Sequence, residues 1–493
     1  MSSEDRSPKK TIPVVAVPAQ PTPTPTGEDA QDMVPLYVAH QKIYPRSVQG
    51  VFAYWRWMLV FITQLVFYGL PWLEWGQRQA VLFDLGARRF YIFGFVLYPQ
   101  DFIYLTAILV ISAFALFLFT AVAGRLWCGF ACPQTVYSEI FLWIERKIEG
   151  DRTARMKLDA GQMSFEKLFK KWYKHIVWLG VALWTGFTFV GYFTPIRELG
   201  LAFFTGGMGS WEIFWVFFYA FATYGNAGFM REQVCKYMCP YARFQSAMFD
   251  RDTLIVTYDA QRGEPRGARS KKADPQLLGL GACVDCSLCV QVCPTGIDIR
   301  NGLQYECIGC GACADVCDGV MEKVGYAKGL VRFSTQNALQ GGWSKQQTWR
   351  RVLRPRVLLY TGILLAVTVA LLTSLALRKP FKVDVVRDRA ALARIVEGGQ
   401  IENVYRLQLM NAAEKTLQFK IEAQGLDGLS LATEALVSVP ATESRWVPVR
   451  LHLPYDAVAA GSHTIHFRIA SFVDNGGEAL GEVVEKSAFL VPR

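Results

Sequence analysis

The sequence predicts a multidomain membrane protein in which an α-helical bundle is followed by a cysteine-rich domain and an all-β sandwich. Three observations predict this fold class. The 493 residues are 52% hydrophobic and 14% aromatic, and five apolar segments reach the roughly twenty residues that a bilayer requires. Eight of the twelve cysteines lie between residues 283 and 317. The final hundred or so residues alternate between apolar and polar positions, as half-buried strands do.

The five predicted spans are separated by loops that alternate between many and few basic residues. The spans are residues 53–73, 102–123, 175–195, 211–230 and 356–377. Residues 145–174 and 231–272 each hold nine Lys and Arg, whereas Arg197 alone lies between the third and fourth spans. Because basic loops stay in the cytoplasm, the N-terminus is expected there and the C-terminus outside. This placement explains the net charge of +10 better than nucleic-acid binding, for which no basic and aromatic recognition motif is present.

These features divide the chain into five predicted parts. No signal-peptide pattern opens the sequence, and residues 1–32 are polar and rich in Pro and Thr, which predicts disorder. The parts are a cytoplasmic tail at 1–50, a four-helix membrane region at 51–250, a cytoplasmic cysteine-rich domain at 251–345, a fifth transmembrane helix at 346–380 and a periplasmic β-sandwich at 381–493.

The first four spans resemble a duplicated hairpin. Each half consists of two spans, an arginine, a Cys-x3-Cys-Pro motif and an amphipathic stretch, beginning at Arg125 in one half and Arg231 in the other. Repeated membrane units often pack about a pseudo-two-fold axis. Such packing would bring the two cysteine pairs close together.

The last part of the chain is predicted to form short strands separated by turns. Residues 403–410, 416–423, 445–453 and 463–470 alternate and are rich in β-branched residues. Turn signals such as Asp427-Gly428 separate them. Several short strands in this length predict a small sandwich, and this part contains no cysteine.

The eight clustered cysteines form two runs of identical spacing, Cys-x2-Cys-x2-Cys-x3-Cys, followed by Pro294 in one run and Asp318 in the other. This is the spacing of bacterial 2[4Fe–4S] ferredoxins, in which the fourth cysteine of each run ligates the other cluster. The predicted ligand sets are Cys283, Cys286, Cys289 and Cys317 for one cluster and Cys293, Cys307, Cys310 and Cys313 for the second. Zinc bound by Cys-x2-Cys pairs is the alternative, which two identical runs disfavour. Thiolate ligands require a reducing compartment, in agreement with the charge pattern.

The other four cysteines form the two Cys-x3-Cys-Pro motifs. They are Cys128, Cys132, Cys235 and Cys239. Residues i and i+4 of a helix share a face, although a following proline favours a helix start. Soft thiolates bind Cu(I), zinc or iron–sulfur clusters, whereas ordinary buried cysteines are the structural alternative. A copper site, a redox-active dithiol pair and a third cluster shared by both hairpins all remain open.

Other cofactors are disfavoured. Of the five histidines only His175 lies near a span, so paired axial ligands for a membrane haem are lacking. No glycine-rich loop joins a strand to a helix in the pattern of a nucleotide site. The electron donor is therefore expected to be a protein or a membrane quinol.

Several segments resemble the cytochrome c oxidase accessory protein family of the FixG/RdxA/CcoG type. They are WCGFACPQTVYSEIF at 127–141, CKYMCPYARFQSAMFD at 235–250, YDAQRGEPRG at 258–267, the cysteine-rich stretch at 281–318 and GLVRFSTQNAL at 329–339. The resemblance covers most of the chain except the first 32 residues. Asp318 after the last cysteine also belongs to the family pattern.

The resemblance implies a bacterial inner-membrane protein with two [4Fe–4S] clusters and an immunoglobulin-like C-terminal domain. It further implies that the protein reduces Cu(II) to Cu(I) and supports assembly of the cbb3-type cytochrome oxidase. The catalytic, copper-handling residues implied are Cys128, Cys132, Cys235 and Cys239. Expected partners are the bilayer, copper ions, the oxidase or its copper-delivery proteins, and an unidentified electron donor. Two rival hypotheses are a quinol-linked electron conduit to another enzyme and an assembly scaffold with structural clusters.

Overall fold

The computed structural model describes residues 42–270, 277–388, 393–396, 398–473 and 479–492. The tail predicted to be disordered, residues 1–32, lies outside the described residues. The chain divides into two units, Met1–Lys42 and Ile43–Arg493. All elements named below belong to the second unit.

The helices lie before residue 377. In chain order they are α1 (Val51–Gly69), α2 (Phe102–Ala123), α3 (Leu126–Phe130), α4 (Pro133–Glu149), α5 (Arg152–Ala160), α6 (Phe165–Val190), α7 (Ile196–Thr205), α8 (Ser210–Gly225), α9 (Arg231–Gln233), α10 (Pro240–Met248), α11 (Ala260–Gly263), α12 (Leu288–Gln291), α13 (Ala312–Val324), α14 (Gln336–Gln340), α15 (Lys345–Arg350) and α16 (Pro355–Ala376). Short 3₁₀ turns occur at Leu70–Trp72, Pro99–Asp101 and Ile299–Asn301, and π-helices at Asn226–Met230 and Val234–Met238.

Three of the five predicted spans are confirmed as helices that are long and apolar enough to cross a membrane. These are Val51–Trp72, Pro99–Ala123 and Pro355–Ala376. Ser210–Met238 meets the same criterion only together with Ile196–Thr205, across a bend of 100°. Within the described part of the chain there are therefore three such helices, or four if the bent pair is one span.

The predicted span at 175–195 is not among the helices that are apolar enough to meet this criterion. It falls in α6, whose 26 residues are long enough to cross a bilayer. However, Lys174, His175 and the buried Thr185 and Thr188 make α6 less apolar than the other spans. Its polar side chains face the interior of the bundle, where packed neighbours replace lipid.

Two pairs of helices pack closely in the membrane region, to which α1 also belongs. Arg354, just before α16, donates a hydrogen bond to the carbonyl of Ala121 near the end of α2. Arg378 after α16 contacts Asp101 before α2 at 2.7 Å, so α2 and α16 are antiparallel. The helices α6 and α8 approach closely at Gly186, where a Cβ would lie 2.2 Å from the carbonyl oxygen of Val216. Only glycine permits this approach.

A small β-structure connects the first two spans and contacts the C-terminal domain. Its strands are β1 (Glu74–Trp75), β2 (Arg78–Gln79), β3 (Val81–Asp84), β4 (Arg89–Ile92) and β5 (Phe95–Leu97). The hydroxyl of Tyr98 donates to the carbonyl of Asn411 at 2.8 Å. Val96 and Tyr98 share one apolar cluster with Met410 and Ala412. The connection therefore packs on the sandwich.

The C-terminal part is the predicted β-sandwich. Its strands are β8 (Phe381–Arg387), β9 (Arg394–Val396), β10 (Gln400–Asn411), β11 (Leu417–Gln424), β12 (Ser430–Leu431), β13 (Leu436–Val439), β14 (Ser444–Pro454), β15 (Gly461–Val473) and β16 (Ala479–Val491). One antiparallel sheet has the order β12-β14-β10-β8, with β9 also paired to β10, and the other has the order β13-β11-β15-β16. Alternate residues such as Phe419, Ile421 and Leu451 are buried in one core between the sheets. The four predicted strands lie in β10, β11, β14 and β15, which confirms them.

The cysteine-rich domain is closed by two strands and contacts the first span. Its strands β6 (Ile255–Tyr258) and β7 (Val331–Ser334) pair antiparallel on either side of the cysteine runs. Asp315 of α13 accepts hydrogen bonds from the N–H groups of Phe52 and Ala53 at 3.1 and 2.7 Å. These are donors in the first turn of α1 that a helix leaves unpaired. The start of α1 is therefore capped by the cysteine-rich domain.

Candidate functional site

Two cavities in the cysteine-rich domain are each lined by four of its cysteines. The first is lined by Cys283, Cys286, Cys289 and Cys317, here called the exposed cysteine set. The second is lined by Cys293, Cys307, Cys310 and Cys313, together with Cys289, and these first four are called the buried cysteine set. Each set combines three cysteines of one run with the last cysteine of the other, as in ferredoxins. Four thiol donors around an apolar cavity fit a [4Fe–4S] cluster in each.

The loops that carry the two sets have the same backbone shape but different residues. Asp285 and Ser287 have φ of 51° and 55°, and the matching Gly309 and Gly311 have φ of 70° and 71°. A Cβ on Gly311 would lie 2.7 Å from the side chain of Phe52 in α1. The left-handed conformation favours glycine but is also adopted by Asp285 and Ser287, so the contact with Phe52 is what requires glycine at position 311.

The two sets differ in exposure at one position, Cys286, since Cys283 and Cys289 of the exposed set are also buried. Cys286 of the exposed set is open to solvent. Cys310 of the buried set is only 7% exposed. The exposed set can therefore be approached from solution at Cys286, whereas the buried set lies against the segments that carry the membrane thiol site.

The two Cys-x3-Cys-Pro motifs share one local structure at their second cysteine. Cys132 and Cys239 are the extended N-cap residues of α4 and α10, and each helix begins with proline. Proline fits this first position because its missing N–H would have no helical partner. Cys128 lies in α3, whereas Cys235 lies in the π-helix Val234–Met238. Each motif therefore crosses a helix break, and its two cysteines do not belong to one continuous helix.

The four cysteines of these motifs come together, and they are called the membrane thiol site. Cys128 interacts electrostatically with Cys132, Cys235 and Cys239. Burial raises the pKa of the Cys128 thiol to about 12, the neighbouring thiols add to this effect, and Arg125 opposes it. Burial also raises the pKa of Cys132, against the opposing effect of the N–H groups at the start of α4. The meeting of the two pairs is the arrangement expected of a duplicated hairpin.

Among the described residues, no group of three or more His, Cys, Asp or Glu side chains has the geometry to hold a single metal ion. This applies to the exposed and buried cysteine sets as well as to the membrane thiol site.

The membrane thiol site packs directly on the buried cysteine set. Cys128 and Cys235 lie against an apolar group that includes Ile308 and Cys310. A Cβ on Gly129 would lie 2.8 Å from the Cα and N atoms of Cys310. The two backbones therefore touch at this point, with no side chain between them.

Arg125 joins three segments of this site. The residue is 5% exposed, and its guanidinium donates hydrogen bonds to the carbonyl oxygens of Ala242 in α10 and Tyr305. A further contact of 3.5 Å reaches the carbonyl of Cys307. Arg125 also interacts electrostatically with Cys128 and Cys307, and with the second motif. Its positive charge thus lies between the membrane thiol site and the buried cysteine set.

A second buried arginine reaches the buried cysteine set from the first span. Arg56 of α1 is 7% exposed and forms a side-chain hydrogen bond with Cys310. Its guanidinium lies 3.8 Å from Glu139 and also interacts with Asp315. A charged residue inside a span usually has a functional role.

The exposed cysteine set has a different charge environment. Arg300 interacts with Cys289, but it also pairs with Asp298 at 2.7 Å and with Asp285. The hydrogen bond from Arg300 lowers the pKa of Asp298, so this carboxylate stays ionised beside it. Two negative charges thus accompany Arg300, and Arg269 brings a further positive charge, since its guanidinium donates a hydrogen bond to the carbonyl of Cys283 at 3.3 Å.

Arg231, which precedes the second motif, belongs to a separate buried ion network. It lies 3.0 Å from Glu145, which is 1% exposed. Glu145 also contacts Arg155 at 2.9 Å and Lys174 at 3.7 Å. Lys174 in turn pairs with Glu149 at 2.8 Å.

Sequence reasoning did not assign a role to Arg56, Arg125 or Gln245. Gln245 is fully buried and accepts a hydrogen bond from the Cys128 thiol at 3.2 Å. The repeated arginine before each motif was a signal for Arg125, and a charge within an apolar span was a signal for Arg56. Gln245 has no comparable signal, because its contact joins residues 117 positions apart.

Three sequence families match the chain. Residues 230–336 match the family described as "4Fe-4S dicluster domain", residues 105–150 match "4Fe-4S binding domain", and residues 371–492 match "IG-like fold at C-terminal of FixG". The first two ranges together contain all twelve cysteines. The sandwich is therefore immunoglobulin-like, and the chain carries iron–sulfur domains.

Related proteins match over most of the chain. The nitrogen fixation protein FixG of Rhizobium meliloti is 38% identical, over 81% of this chain and 83% of FixG. Protein RdxA of Cereibacter sphaeroides is also 38% identical, over 92% of this chain and 98% of RdxA. The ferredoxin-type protein NapH of Haemophilus influenzae is 23% identical over 47% of this chain and 69% of NapH.

A solved structure, that of a FixG-related protein from Vibrio parahaemolyticus, is 21% identical over 23% of this chain and 97% of that chain, with a TM-score of 0.20. Identity of 38% over nearly the whole of RdxA shows the family. Together with the cysteine geometry and the apolar helices, it identifies the protein. The chain belongs to the FixG/RdxA family and is a membrane-associated iron–sulfur electron-transfer protein.

Proposed function

We propose that the chain is a membrane-bound cupric reductase, which transfers single electrons to Cu(II) at the membrane thiol site. In this proposal the exposed and buried cysteine sets each ligate one [4Fe–4S] cluster. Such clusters supply a one-electron relay when bound. The observation that carries the proposal is the contact of Cys128 and Cys235 with the apolar group around Cys310.

The reaction balances with one electron for each copper ion. Each Cu(II) takes up one electron and becomes Cu(I), and an external donor, a protein or a quinol, replaces that electron. Thiolates prefer Cu(I), so sulfur ligation at this site stabilises the product more than the substrate. Since the pKa of Cys128 is about 12 and a ligating sulfur must be deprotonated, copper binding releases a proton from this thiol.

The proposed location is the bacterial inner membrane, with all twelve cysteines on the cytoplasmic side. The basic stretches at 145–174 and 231–272 flank the motifs, as cytoplasmic loops do, and the cytoplasm keeps thiolates reduced. The sandwich would then lie in the periplasm. Membership of the FixG/RdxA family supports a role in delivering copper to a cbb3-type cytochrome oxidase.

A second candidate is a membrane electron conduit in which the membrane thiol site holds a third iron–sulfur cluster. It is favoured by one observation. Residues 105–150 match a 4Fe–4S binding family, yet Cys128 and Cys132 are the only cysteines in that range. A conduit of this kind would take electrons from quinol and pass them to another enzyme without copper.

Iron, sulfide and copper analysis combined with EPR separates the two candidates. The proteins compared are the wild type and the variant in which Cys128, Cys132, Cys235 and Cys239 are all replaced by Ser. The reductase predicts about eight irons in both proteins, four for each cluster, with copper binding and Cu(II) reduction lost only in the variant. A conduit predicts more than eight irons in the wild type, falling to about eight in the variant.

The control is Cys286→Ser, which alters the exposed cysteine set alone. It is expected to lower the iron content while copper still binds at the membrane thiol site. Copper binding and turnover that survive in the four-serine variant would contradict the proposed site.

A further inference from the structure

A cavity of about 50 Å³ lies where the first membrane span, the helices after the first Cys-x3-Cys-Pro motif and the cysteine-rich domain meet. Its walls include Arg56 and Trp57 of α1, Arg146 of α4 and Arg155 of α5. A single water needs about 10–15 Å³ of such space. The cavity is therefore large enough for a group with several oxygen atoms.

Arginine side chains outnumber carboxylates around this cavity. Four arginines and two carboxylates line it, and they are Arg46, Arg56, Arg146, Arg155, Glu139 and Asp151. Among the residues that the structure describes, the side chains of Arg46 and Arg146 form neither an ion pair nor a hydrogen bond. Even if Asp151 offsets one of these two charges, positive charge remains for an anion.

The buried ion network beside the cavity does not cancel this excess. Its carboxylates already have cationic partners of their own. Glu145, Glu149 and Asp159 are contacted by Arg155, Lys171, Lys174 and Arg231. The network therefore leaves the charges of Arg46 and Arg146 in place.

Two of the lining arginines are held inside the protein with a donor unused. Arg56 and Arg155 are 7% and 3% exposed, and the Nε atom of each has no hydrogen-bond partner among the described residues. A buried donor without a partner costs free energy, so an acceptor bound in the cavity would be stabilising. Guanidinium groups suit phosphate because their paired N–H donors match its oxygens.

The cavity lies at the level expected for lipid headgroups. Arg56 is the sixth residue of α1, so it lies about 8 Å from the start of this span. Basic pockets near the ends of membrane helices bind the headgroups of anionic lipids. A phosphate at this depth can therefore belong to a phospholipid.

Aromatic side chains continue from the cavity along the outside of the bundle. The ring centroid of Trp57 lies 5.9 Å from that of Phe61 and 6.3 Å from that of Trp143. Phe61 and Trp143 are both exposed, as are side chains that face lipid. An acyl chain can lie against these rings while its phosphate occupies the cavity, whereas a free phosphate ion cannot use this surface.

The cysteine-rich domain supplies the remaining wall. Pro294 lines the cavity directly after Cys293 of the buried cysteine set. The segment of Arg46 is attached to the same domain, because its backbone N–H donates to the carbonyl of Gln291 at 2.8 Å. A ligand in the cavity therefore contacts the membrane helices and this domain together.

We propose that this cavity binds the phosphate group of an anionic phospholipid, whose acyl chain lies against Trp57, Phe61 and Trp143. The bound lipid holds the cysteine-rich domain against the membrane helices, beside the buried cysteine set. This inference requires only that the helices lie in a bilayer, so it does not depend on the reaction at the membrane thiol site.

Lipid titration of the delipidated, iron-loaded full-length protein in detergent tests this inference, with native mass spectrometry to count bound lipids. Phosphatidylglycerol should bind as a single molecule and raise the melting temperature, whereas phosphatidylcholine and inorganic phosphate should act only at much higher concentrations. The cavity variant, Arg46→Gln with Arg146→Gln, should bind phosphatidylglycerol about thirtyfold more weakly, because each basic residue at a membrane surface contributes about fivefold.

Lys157→Gln with Arg243→Gln is the matched control. It removes the same charge from two exposed side chains that do not line the cavity, so its affinity for phosphatidylglycerol should stay close to that of the wild type. Iron content and the melting temperature without lipid show whether each variant folds. If the cavity variant melts earlier without lipid, Arg46→Gln alone decides, with an expected loss of about fivefold.

Equal affinity for phosphatidylglycerol in the cavity variant and its control would overturn the site. Equal binding of phosphatidylcholine would exclude recognition of charge. Displacement of the lipid by an equal concentration of inorganic phosphate would overturn the lipid as the ligand in favour of the free ion.

Hydrogen–deuterium exchange tests whether the lipid joins the two parts. Phosphatidylglycerol should slow exchange at residues 44–50 and 291–296 in the wild type, because both segments border the cavity, and should not slow it in the cavity variant. Exchange that the lipid leaves unchanged in the wild type would refute this role.

Discussion

Arg125 and Arg231 stand at equivalent places before the two Cys-x3-Cys-Pro motifs, yet their side chains point into different surroundings. Arg125 contacts the loop of the buried cysteine set through Tyr305 and Cys307. Arg231 pairs with the buried Glu145 and lies over the ring of Trp178 at 5.5 Å. The duplicated motif therefore places one arginine at the cluster domain and the other within the helix bundle.

The two motifs also differ in the residue that follows their first cysteine. Gly129 follows the first cysteine of one motif, and Lys236 follows the first cysteine of the other. A side chain on Gly129 would collide with the backbone of Cys310, whereas Lys236 is partly exposed. The first half of the repeat thus forms the close backbone contact with the cluster domain, which the second half reaches only through the side chain of Cys235 among the contacts described above. The second half completes the thiol site and stabilises the bundle.

The largest effect on stability is expected from Arg231→Met. Removing one partner from a buried ion network leaves Glu145 poorly compensated, although Arg155 and Lys174 remain near it. We expect a loss of about 3 kcal/mol in unfolding free energy, seen as a lower melting temperature in detergent. Both cluster potentials should remain those of the wild type.

Arg197→Met is the matched control for that substitution. Arg197 and Glu74 form an ion pair of 2.9 Å whose two side chains are 64% and 55% exposed. An exposed pair contributes at most about 1 kcal/mol, so the melting temperature should barely change. A shift of either cluster potential in Arg231→Met would show that Arg231 also affects a cluster, contrary to its place within the helix bundle.

Gly129→Ala is expected to have the next largest effect. Its Cβ would need space 2.8 Å from backbone atoms of Cys310, and backbone cannot rotate away as a flexible side chain can. Overpacking of this kind costs about 2 kcal/mol and separates the thiol site from the buried cysteine set. Cu(II) reduction should therefore fall while iron content is retained.

Lys236→Ala provides the comparison at the matching position of the second motif. It should leave both the melting temperature and the rate of Cu(II) reduction close to wild type. Equal losses in the two variants would mean that the close backbone contact at Gly129 has no special role in linking the thiol site to the cluster domain.

The smallest effect on stability is expected at Asp151, in the connection after α4. Only the first half of the repeat has this connection. After α4 the chain continues into α5, and Asp151 between them accepts hydrogen bonds from the N–H and hydroxyl of Ser47 at 3.0 and 3.1 Å. Burial alone would raise the pKa of Asp151, but these bonds and the N–H of Arg152 outweigh it and hold the pKa below the ordinary 3.8. Asp151→Asn should cost about 1 kcal/mol at neutral pH.

The pH dependence follows from the direction of this pKa change. A lowered pKa means that the ionised form stabilises the fold at any pH above the ordinary value of 3.8 and that this stabilisation disappears as pH falls through the lower, folded value. The difference in melting temperature between wild type and Asp151→Asn should therefore shrink below about pH 4. Both proteins carry the same acid-labile groups, so the difference between them reports Asp151. A difference independent of pH would exclude the carboxylate as its source.

Short-range patterns in the sequence were sufficient to predict the sandwich strands and three of the membrane spans. The alternation in β11 and β14 and the length of α2 and α16 depend only on neighbouring residues, and they are found where predicted. The ferredoxin ligand sets are expected from spacing because three ligands of each cluster come from one loop. Each cavity is lined by the four cysteines of one predicted set, and Cys289 lines both cavities.

Long-range contacts could not be predicted from such short-range patterns. The approach of Gly129 to Cys310 joins two parts of the chain that are far apart in sequence, and no periodicity encodes it. The sequence also overestimated the apolar character of the third span, because Thr185 and Thr188 of α6 are buried against other helices and not exposed to lipid. Such residues can be assigned only when their neighbours are known.

The hydrogen bond between Tyr98 and Asn411 has a consequence for encounters with other proteins. Because the connection between the first two spans shares an apolar cluster with Met410 and Ala412, the sandwich is attached to the bundle at two places, through this cluster and through α16. A domain on a single flexible linker samples many heights and orientations above a bilayer. Two attachments remove most of that freedom, so any protein that binds the sandwich is held at one distance from the membrane surface and in one orientation.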